Sequence, residues 1–396
     1  MMISLWSVLM SSMIMSATGT TPALKPEDLP VCADLPDPFR MNDGSYVKTP
    51  EDWRKRREEI IAILLDNEYG HMPPPAEFHV LKSRDRDVFK DKDKPKDRFN
   101  AVLRKVVLGF GEKNRVKVNA ALFIPRGKGP FPVILSISPV TEKKLEDTAQ
   151  LVTERGYILA GYQHHDFDQD NDDRSDGMHP LYPEYDWATL AVWAWGASRM
   201  VDYLITLTEV DKTHIAITGH SRCGKTALLA AALDERIALA APHASGCGGS
   251  GCFRIMGKGS ETLALITERK RFHYWFAPKL AEFKGKEDRL PFDQHFLKAL
   301  IAPRPLLSQD ALDDHWANPM GTQYTSQAVQ PVYDFLGVPD NNSNYWRYGT
   351  HPMTYGDWEA LIEYADHTFF NKPLVRDFKG RPFPGYSIPA SWHVPK

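Results

Sequence analysis

The stretch His214-Ile-Ala-Ile-Thr-Gly-His-Ser-Arg-Cys-Gly-Lys-Thr-Ala-Leu-Leu concentrates the residue types able to do chemistry. A short apolar strand runs into a glycine-containing turn and then into a helix, and two chemistries compete for it. Gly219-x-x-x-x-Gly224-Lys225-Thr226 satisfies the pattern of a phosphate-binding loop. Backbone N–H groups would then cradle phosphates, Lys225 would reach the β and γ oxygens, and Thr226 would hold Mg²⁺. Gly219-x-Ser221 equally fits a nucleophile elbow, which lifts a serine hydroxyl above the carboxyl ends of the strands. That elbow normally has a second glycine two residues after the serine. Cys223 stands there, and Gly224 follows one position later.

Chain order favours the nucleophile. An esterase of this kind places serine, acid and histidine in that sequence, the acid after a late strand and the histidine after the last. Pro305-Leu-Leu-Ser-Gln-Asp310 is followed by Asp313, Asp314 and Trp316, and Tyr345-Trp-Arg-Tyr-Gly-Thr-His351 precedes a C-terminal helix pattern. A phosphate-binding loop more often follows the first strand, whereas several strand candidates precede this one. Other clusters are weaker. His164, His165, Asp166 and the run Asp168-Gln-Asp170-Asn-Asp172-Asp173 suggest a calcium loop, but Asn171 stands where glycine is needed and Gly177 where glutamate is needed. A solvated acidic loop near the carboxyl edge of the sheet is expected instead. His243, Cys247 and Cys252 could bind metal, although the glycine-rich spacing fits backbone crowding near the elbow better. His295 reads as a satisfied structural histidine.

These residues need a frame to position them. From Val102 onward, strand-like runs at Lys105–Phe110, Asn119–Ile124, Pro132–Ile137, Tyr157–Tyr162, His214–Thr218, Ile237–Pro242, Pro305–Gln309 and Asn344–Tyr348 alternate with helix-like ones. The helix patterns cover Lys143–Arg155, Asp186–Thr206, Lys225–Leu233, Thr322–Phe335 and Asp357–Phe369. Within the second, Trp187, Leu190, Ala191, Ala194, Val201, Leu204 and Ile205 recur at helical spacing, the mark of a core face. Apolar strands separated by helices predict an α/β domain whose largely parallel sheet is covered on both faces. We place this domain at residues 101–396, with an extension at 20–100 packed against it. In the extension, Trp53–Tyr69 predicts a helix ended by the Pro73-Pro-Pro75 run. The mixed-charge run Arg84–Arg98 predicts a solvated loop.

Composition bounds the function. The chain has 396 residues, with 48 basic against 51 acidic side chains and a formal charge of −3, so no global field exists to hold nucleic acid. Four cysteines are too few for a disulfide scaffold. Thirty prolines and ten tryptophans suit a loop-rich surface that meets a flat or polymeric ligand. Residues 1–19 pair an apolar stretch from Ile3 to Met15 with small residues, as a signal peptide does, although no Lys or Arg precedes the stretch. Nothing downstream approaches the ~20 apolar residues of a membrane span. A secreted or periplasmic monomer is expected.

Several motifs together carry a resemblance. Gly219-His-Ser-Arg-Cys-Gly-Lys-Thr-Ala-Leu, Ser245-Gly-Cys-Gly-Gly, Leu290-Pro-Phe-Asp-Gln-His295, Leu300-Ile-Ala-Pro-Arg-Pro305, Asp314-His-Trp-Ala-Asn-Pro319, Gly349-Thr-His351 and Asp357-Trp358 resemble bacterial members of the glucuronoyl esterase family over roughly residues 100–370. The resemblance implies an α/β-hydrolase fold and cleavage of the ester joining 4-O-methyl-glucuronate on xylan to lignin alcohols. It also implies no metal or organic cofactor. By position it makes Ser221 the nucleophile, His351 the general base and Arg222 an oxyanion stabiliser. Lys225 and Glu261 would contact the sugar, and Trp316 would line its site. Many members carry the acid where this chain has Ala244; others carry it after the late strand. Asp314 is therefore the expected acid, with Asp313 and Asp310 in reserve. Fungal members join a cysteine before the nucleophile to one after the histidine, where this chain has His220 and Pro352. A glutamate expected near Tyr274-Trp-Phe276 is not evident. An acetylxylan or other carbohydrate esterase and, more remotely, a phosphate-binding NTPase stay open as alternatives.

Overall fold

The computed structural model describes residues 25–88, 101–138 and 146–395. The expected signal segment at 1–19 and most of the Arg84–Arg98 run lie outside the described residues. Nine strands form one sheet: β1 (Phe78–Asp87), β2 (Ala101–Phe110), β3 (Val116–Pro125), β4 (Phe131–Ser136), β5 (Ile158–Tyr162), β6 (Val210–His220), β7 (Leu239–His243), β8 (Leu306–Ala311) and β9 (Asn342–Arg347). Their order is β1-β2-β3-β5-β4-β6-β7-β8-β9. The first three strands and β5 pair antiparallel, and every pair from β5 across to β9 is parallel.

All eight anticipated strands occur, because burial on both faces leaves a local apolar signature. Leu122, Ile158, Ile215, Ile217 and Leu306 face one core, and Leu103, Phe123, Leu159, Ala216 and Leu307 face the other. The first core packs under the helices Pro50–Leu64, Thr189–Leu204, Arg222–Leu233 and Pro319–Phe335, and the second under Glu146–Glu154 and Tyr355–Phe370. The helix Thr189–Leu204 is buried on nearly every side, so its apolar stripe is core, as its spacing predicts. In the extension, Thr49 caps Pro50–Leu64 by accepting the Asp52 N–H, with Pro50 in the first turn where its missing donor costs nothing.

One element departs from expectation. Arg84–Asp87, read as the start of a solvated loop, belongs to β1, which pairs with β2 from Phe78↔Phe110 to Asp87↔Val102. Nearly every β1 residue is exposed. Its charges protect an edge strand rather than solvate a loop, and only pairing with a distant partner reveals that. The sheet thus takes its first strand from the segment preceding residue 101. Past the last helix, the chain returns to the beginning of the described structure, where Trp392 donates to the Leu35 carbonyl at 3.1 Å and the His393 N–H to Asp37 at 2.9 Å.

The parallel half of the sheet has a direct consequence for chemistry. β6, β7, β8 and β9 end at one edge, so the segments following His220, His243, Ala311 and Arg347 issue side by side. Among the described residues, no helix is long and apolar enough to cross a membrane.

Candidate active site

Ser221 sits between β6 and the helix Arg222–Leu233 with φ +58° and ψ −122°. A side chain held there is strained by about 1–3 kcal/mol, and such strain is the mark of an elbow that thrusts its residue outward. The neighbouring glycines are there because backbone crosses them. A Cβ on Gly219 would lie 2.2 Å from the Cys223 carbonyl oxygen, and one on Gly224 2.8 Å from that of His243. The crowding that calls for a second glycine therefore falls on position 224, which explains how Cys223 is tolerated. Its thiol is buried, and burial pushes it up to about 12, so it is no rival nucleophile. The Ser221 N–H donates to the His243 carbonyl at 2.9 Å, whereas the Arg222 N–H has no backbone acceptor among the described residues.

The phosphate-binding reading fails here on geometry. The Lys225 ammonium donates to the carbonyls of Ser245 at 2.7 Å and Cys247 at 2.6 Å and to Glu261 at 2.8 Å. That uses all three of its donors. The Thr226 hydroxyl is taken up by the Arg222 carbonyl at 3.0 Å.

Asp314 and His351 come together. Asp314 Oδ2 lies 2.6 Å from His351 Nδ1, the carboxylate almost fully buried and the imidazole 36% exposed. The His351 ring also lies 4.5 Å from the ring of His220, the residue preceding Ser221. The two reserve acids are used otherwise. Asp313 accepts the Gly349 N–H at 2.8 Å and so pins the turn before His351. Asp310 is buried within the sheet, and burial, with Asp314 adding to it, raises its carboxyl to about 8. Ala244, at φ +44°, follows β7 and offers no carboxylate.

Arg222 pairs with Asp170, and its guanidinium lies 4.8 Å over the Trp275 ring and 5.9 Å over that of Phe272. Asp170 Oδ1 also accepts from Trp275 Nε1 at 2.7 Å and from the Tyr274 hydroxyl at 3.1 Å. Residues 171–175 are exposed, but Asp170 and the buried Asp168 are not part of a merely solvated loop. Asp170 also supplies a carboxylate beside Trp275, from a segment far off in sequence. No local signal singles it out among its acidic neighbours. Asp170→Asn keeps the shape but removes the charge that orients Arg222. It should lower kcat/KM by roughly 10- to 100-fold, somewhat less than loss of an oxyanion donor itself. Steady-state kinetics beside a thermal melt would check this, and an unchanged kcat/KM would show that Arg222 needs no such partner.

Lys225 and Glu261 meet as a buried ion pair, each side chain only 4% exposed. The pair braces the carbonyls of the Ser245–Cys247 segment, and no ammonium hydrogen is left over for a sugar hydroxyl. Trp316, by contrast, is 38% exposed with the Arg271 guanidinium 5.5 Å over its ring, and its carbonyl accepts the Glu261 N–H at 3.0 Å. His295 is a structural residue, fully buried with Nε2 2.8 Å from the Pro36 carbonyl. Cys247 and Cys252 are free thiols, and no group of three or more metal-ligating side chains occurs among the described residues.

Comparisons with known proteins identify the family. A family model described as glucuronyl esterase, fungi, matches residues 110–337. The chain is 31% identical to the carbohydrate esterase MZ0003 of an unknown prokaryotic organism, over 84% of this chain and 89% of that one. It is 29% identical to 4-O-methyl-glucuronoyl methylesterase 1 of Wolfiporia cocos, over 86% of this chain and 81% of the relative. Among solved structures, a family 15 glucuronoyl esterase from Caldicellulosiruptor kristjansonii superposes with a TM-score of 0.76 at 30% identity, covering 91% of this chain and 96% of the other.

Proposed function

Because the chain belongs to the glucuronoyl esterase family, we propose that it is a serine carboxylester hydrolase cleaving 4-O-methyl-glucuronoyl esters between xylan and lignin alcohols. The observation that carries the chemistry is the 2.6 Å pairing of Asp314 with His351 beside a strained Ser221 elbow. A serine hydroxyl is a weak nucleophile, so His351 accepts its proton as the oxygen attacks the ester carbonyl. Asp314, an acceptor only, keeps the hydrogen on Nδ1, leaves Nε2 free to take the proton, and stabilises the imidazolium that forms. The negative oxygen is met by the Arg222 N–H and guanidinium, donors oriented before the reaction and worth about 3–4 kcal/mol each. The alcohol leaves with the proton held by His351. Water then attacks the acyl-enzyme through the same base, and Ser221 is restored.

The substrate class rests on the acyl side of the cleft. Trp316 offers an aromatic face suited to a pyranose ring, and a curated relative carries the name 4-O-methyl-glucuronoyl methylesterase. Glu261, tied to Trp316 through the backbone, and Lys225 set the shape of the floor beneath that ring. In the same proposal, residues 1–19 direct export, the described part of the segment before residue 101 packs on the catalytic domain and lends its sheet the edge strand β1, and the enzyme works outside the cytoplasm. Benzyl glucuronate should be hydrolysed with kcat/KM on the order of 10- to 100-fold above that for acetylated xylan, since an acetyl group offers no ring or hydroxyls to bind. The reverse order would replace this reading with that of an acetylxylan esterase.

A further inference from the structure

The Asp314–His351 bond sets the rotation of the imidazole, but it does not hold the segment carrying His351 in place against the Ser221 elbow. A separate chain of polar groups does so. Arg347, at the end of β9, donates to the carbonyls of Tyr348 at 3.2 Å, Thr350 at 3.1 Å and Pro352 at 2.5 Å, three of the residues around His351. Its Nε lies 2.9 Å from both oxygens of Asp357. Asp357 also accepts the N–H and hydroxyl of Thr354 at 2.6 and 2.8 Å, closing the other end of the His351 segment. Beyond Asp357, His243 Nε2 stands 3.3 Å from Oδ2, and His243 Nδ1 lies 2.9 Å from Nδ1 of His220. His220 adjoins Ser221 and packs its ring on His351.

The chain is anchored on the fully buried carboxylate of Asp357. Burial alone would raise the Asp357 carboxyl, but His243 and Thr354 hold it down at about 2, so it is an ionised acceptor. The Nδ1 atoms of His243 and His220, 2.9 Å apart, share one hydrogen, so one ring donates to the other. Burial, then His243 and His351, depress His220 to about 3, so it stays uncharged beside the base.

We propose that Arg347, Asp357, His243 and His220 form one positioning unit that fixes the His351 segment against the Ser221 elbow. The inference rests on Ser221, His351 and Asp314 being the triad. Residues joined in one network act as a unit, so their losses do not add. Asp357→Asn, which keeps the side-chain shape but withdraws the charge between Arg347 and His243, should lower kcat on benzyl glucuronate about 10- to 100-fold with KM within about twofold. His220→Asn, at a partly exposed site, should lower kcat in the same way with an unchanged melting temperature. The double variant should be no slower than about twofold below the worse single one. Wild-type kcat in His220→Asn, or losses that multiply in the double variant, would overturn the proposal. A Ser221→Ala enzyme that still turned over would instead overturn the triad beneath it.

Discussion

Ser221→Ala should abolish turnover and leave the protein folded. Removing an elbow serine eliminates the atom that forms the acyl-enzyme, and in serine hydrolases such a loss is on the order of 10⁶-fold in kcat. The cost in stability should stay within about 0.5 kcal/mol, because alanine has the same Cβ at φ +58° as serine. Ser221→Gly goes further. It should be equally inactive yet more stable, by about 1 kcal/mol, since glycine tolerates that backbone without strain. The measurements are kcat on benzyl glucuronate and the unfolding midpoint of each variant. Residual turnover near the wild-type rate would remove Ser221 from the mechanism, and a less stable glycine variant would mean that the elbow stores no strain.

The choice between two adjacent carboxylates makes an equally sharp expectation. Asp314→Asn puts an amide where His351 Nδ1 now finds an acceptor at 2.6 Å. The amide can donate to Nδ1, which places the imidazole hydrogen on Nε2 and blocks the nitrogen that must take the serine proton. A loss of about 10⁴-fold in kcat is expected, as for wrong-tautomer variants of other triads. Asp313→Asn should cost less than about tenfold, because its amide oxygen can still accept the Gly349 N–H that Asp313 holds at 2.8 Å. Comparison of kcat for the two variants decides the matter. An inverted ranking would make Asp313 the acid and Asp314 the residue that shapes the loop.

Why Asp314 could be named beforehand, while Asp170 could not, is a matter of range. Apolar runs such as Ile215–Ile217 and Leu306–Leu307 advertise doubly covered strands within a few residues, and the order of Ser221, Asp314 and His351 along the chain follows from the winding of such a sheet. The elbow at Ser221, the pairing of Asp314 with His351 and the parallel core were therefore legible from residues alone. Whatever depends on a partner distant along the chain was not. The charges of β1 look like a loop until β2 supplies their backbone pairing. Asp170 is one of several acidic residues until Arg222, 52 positions away, turns to meet it. Lys225 could serve phosphate or sugar in the sequence, and burial between two carbonyls and Glu261 commits its three hydrogens to neither. Gly224 takes the crowded position expected of residue 223 because the His243 carbonyl happens to pass there. His220, His243, Arg347 and Asp357 carry no shared pattern, since they lie on β6, on β7, on β9 and in the first turn of the last helix. Hydrophobic burial repeats with the local period of strand or helix, whereas a hydrogen bond or ion pair is set by where two remote backbones come to rest, and only the tertiary structure decides that.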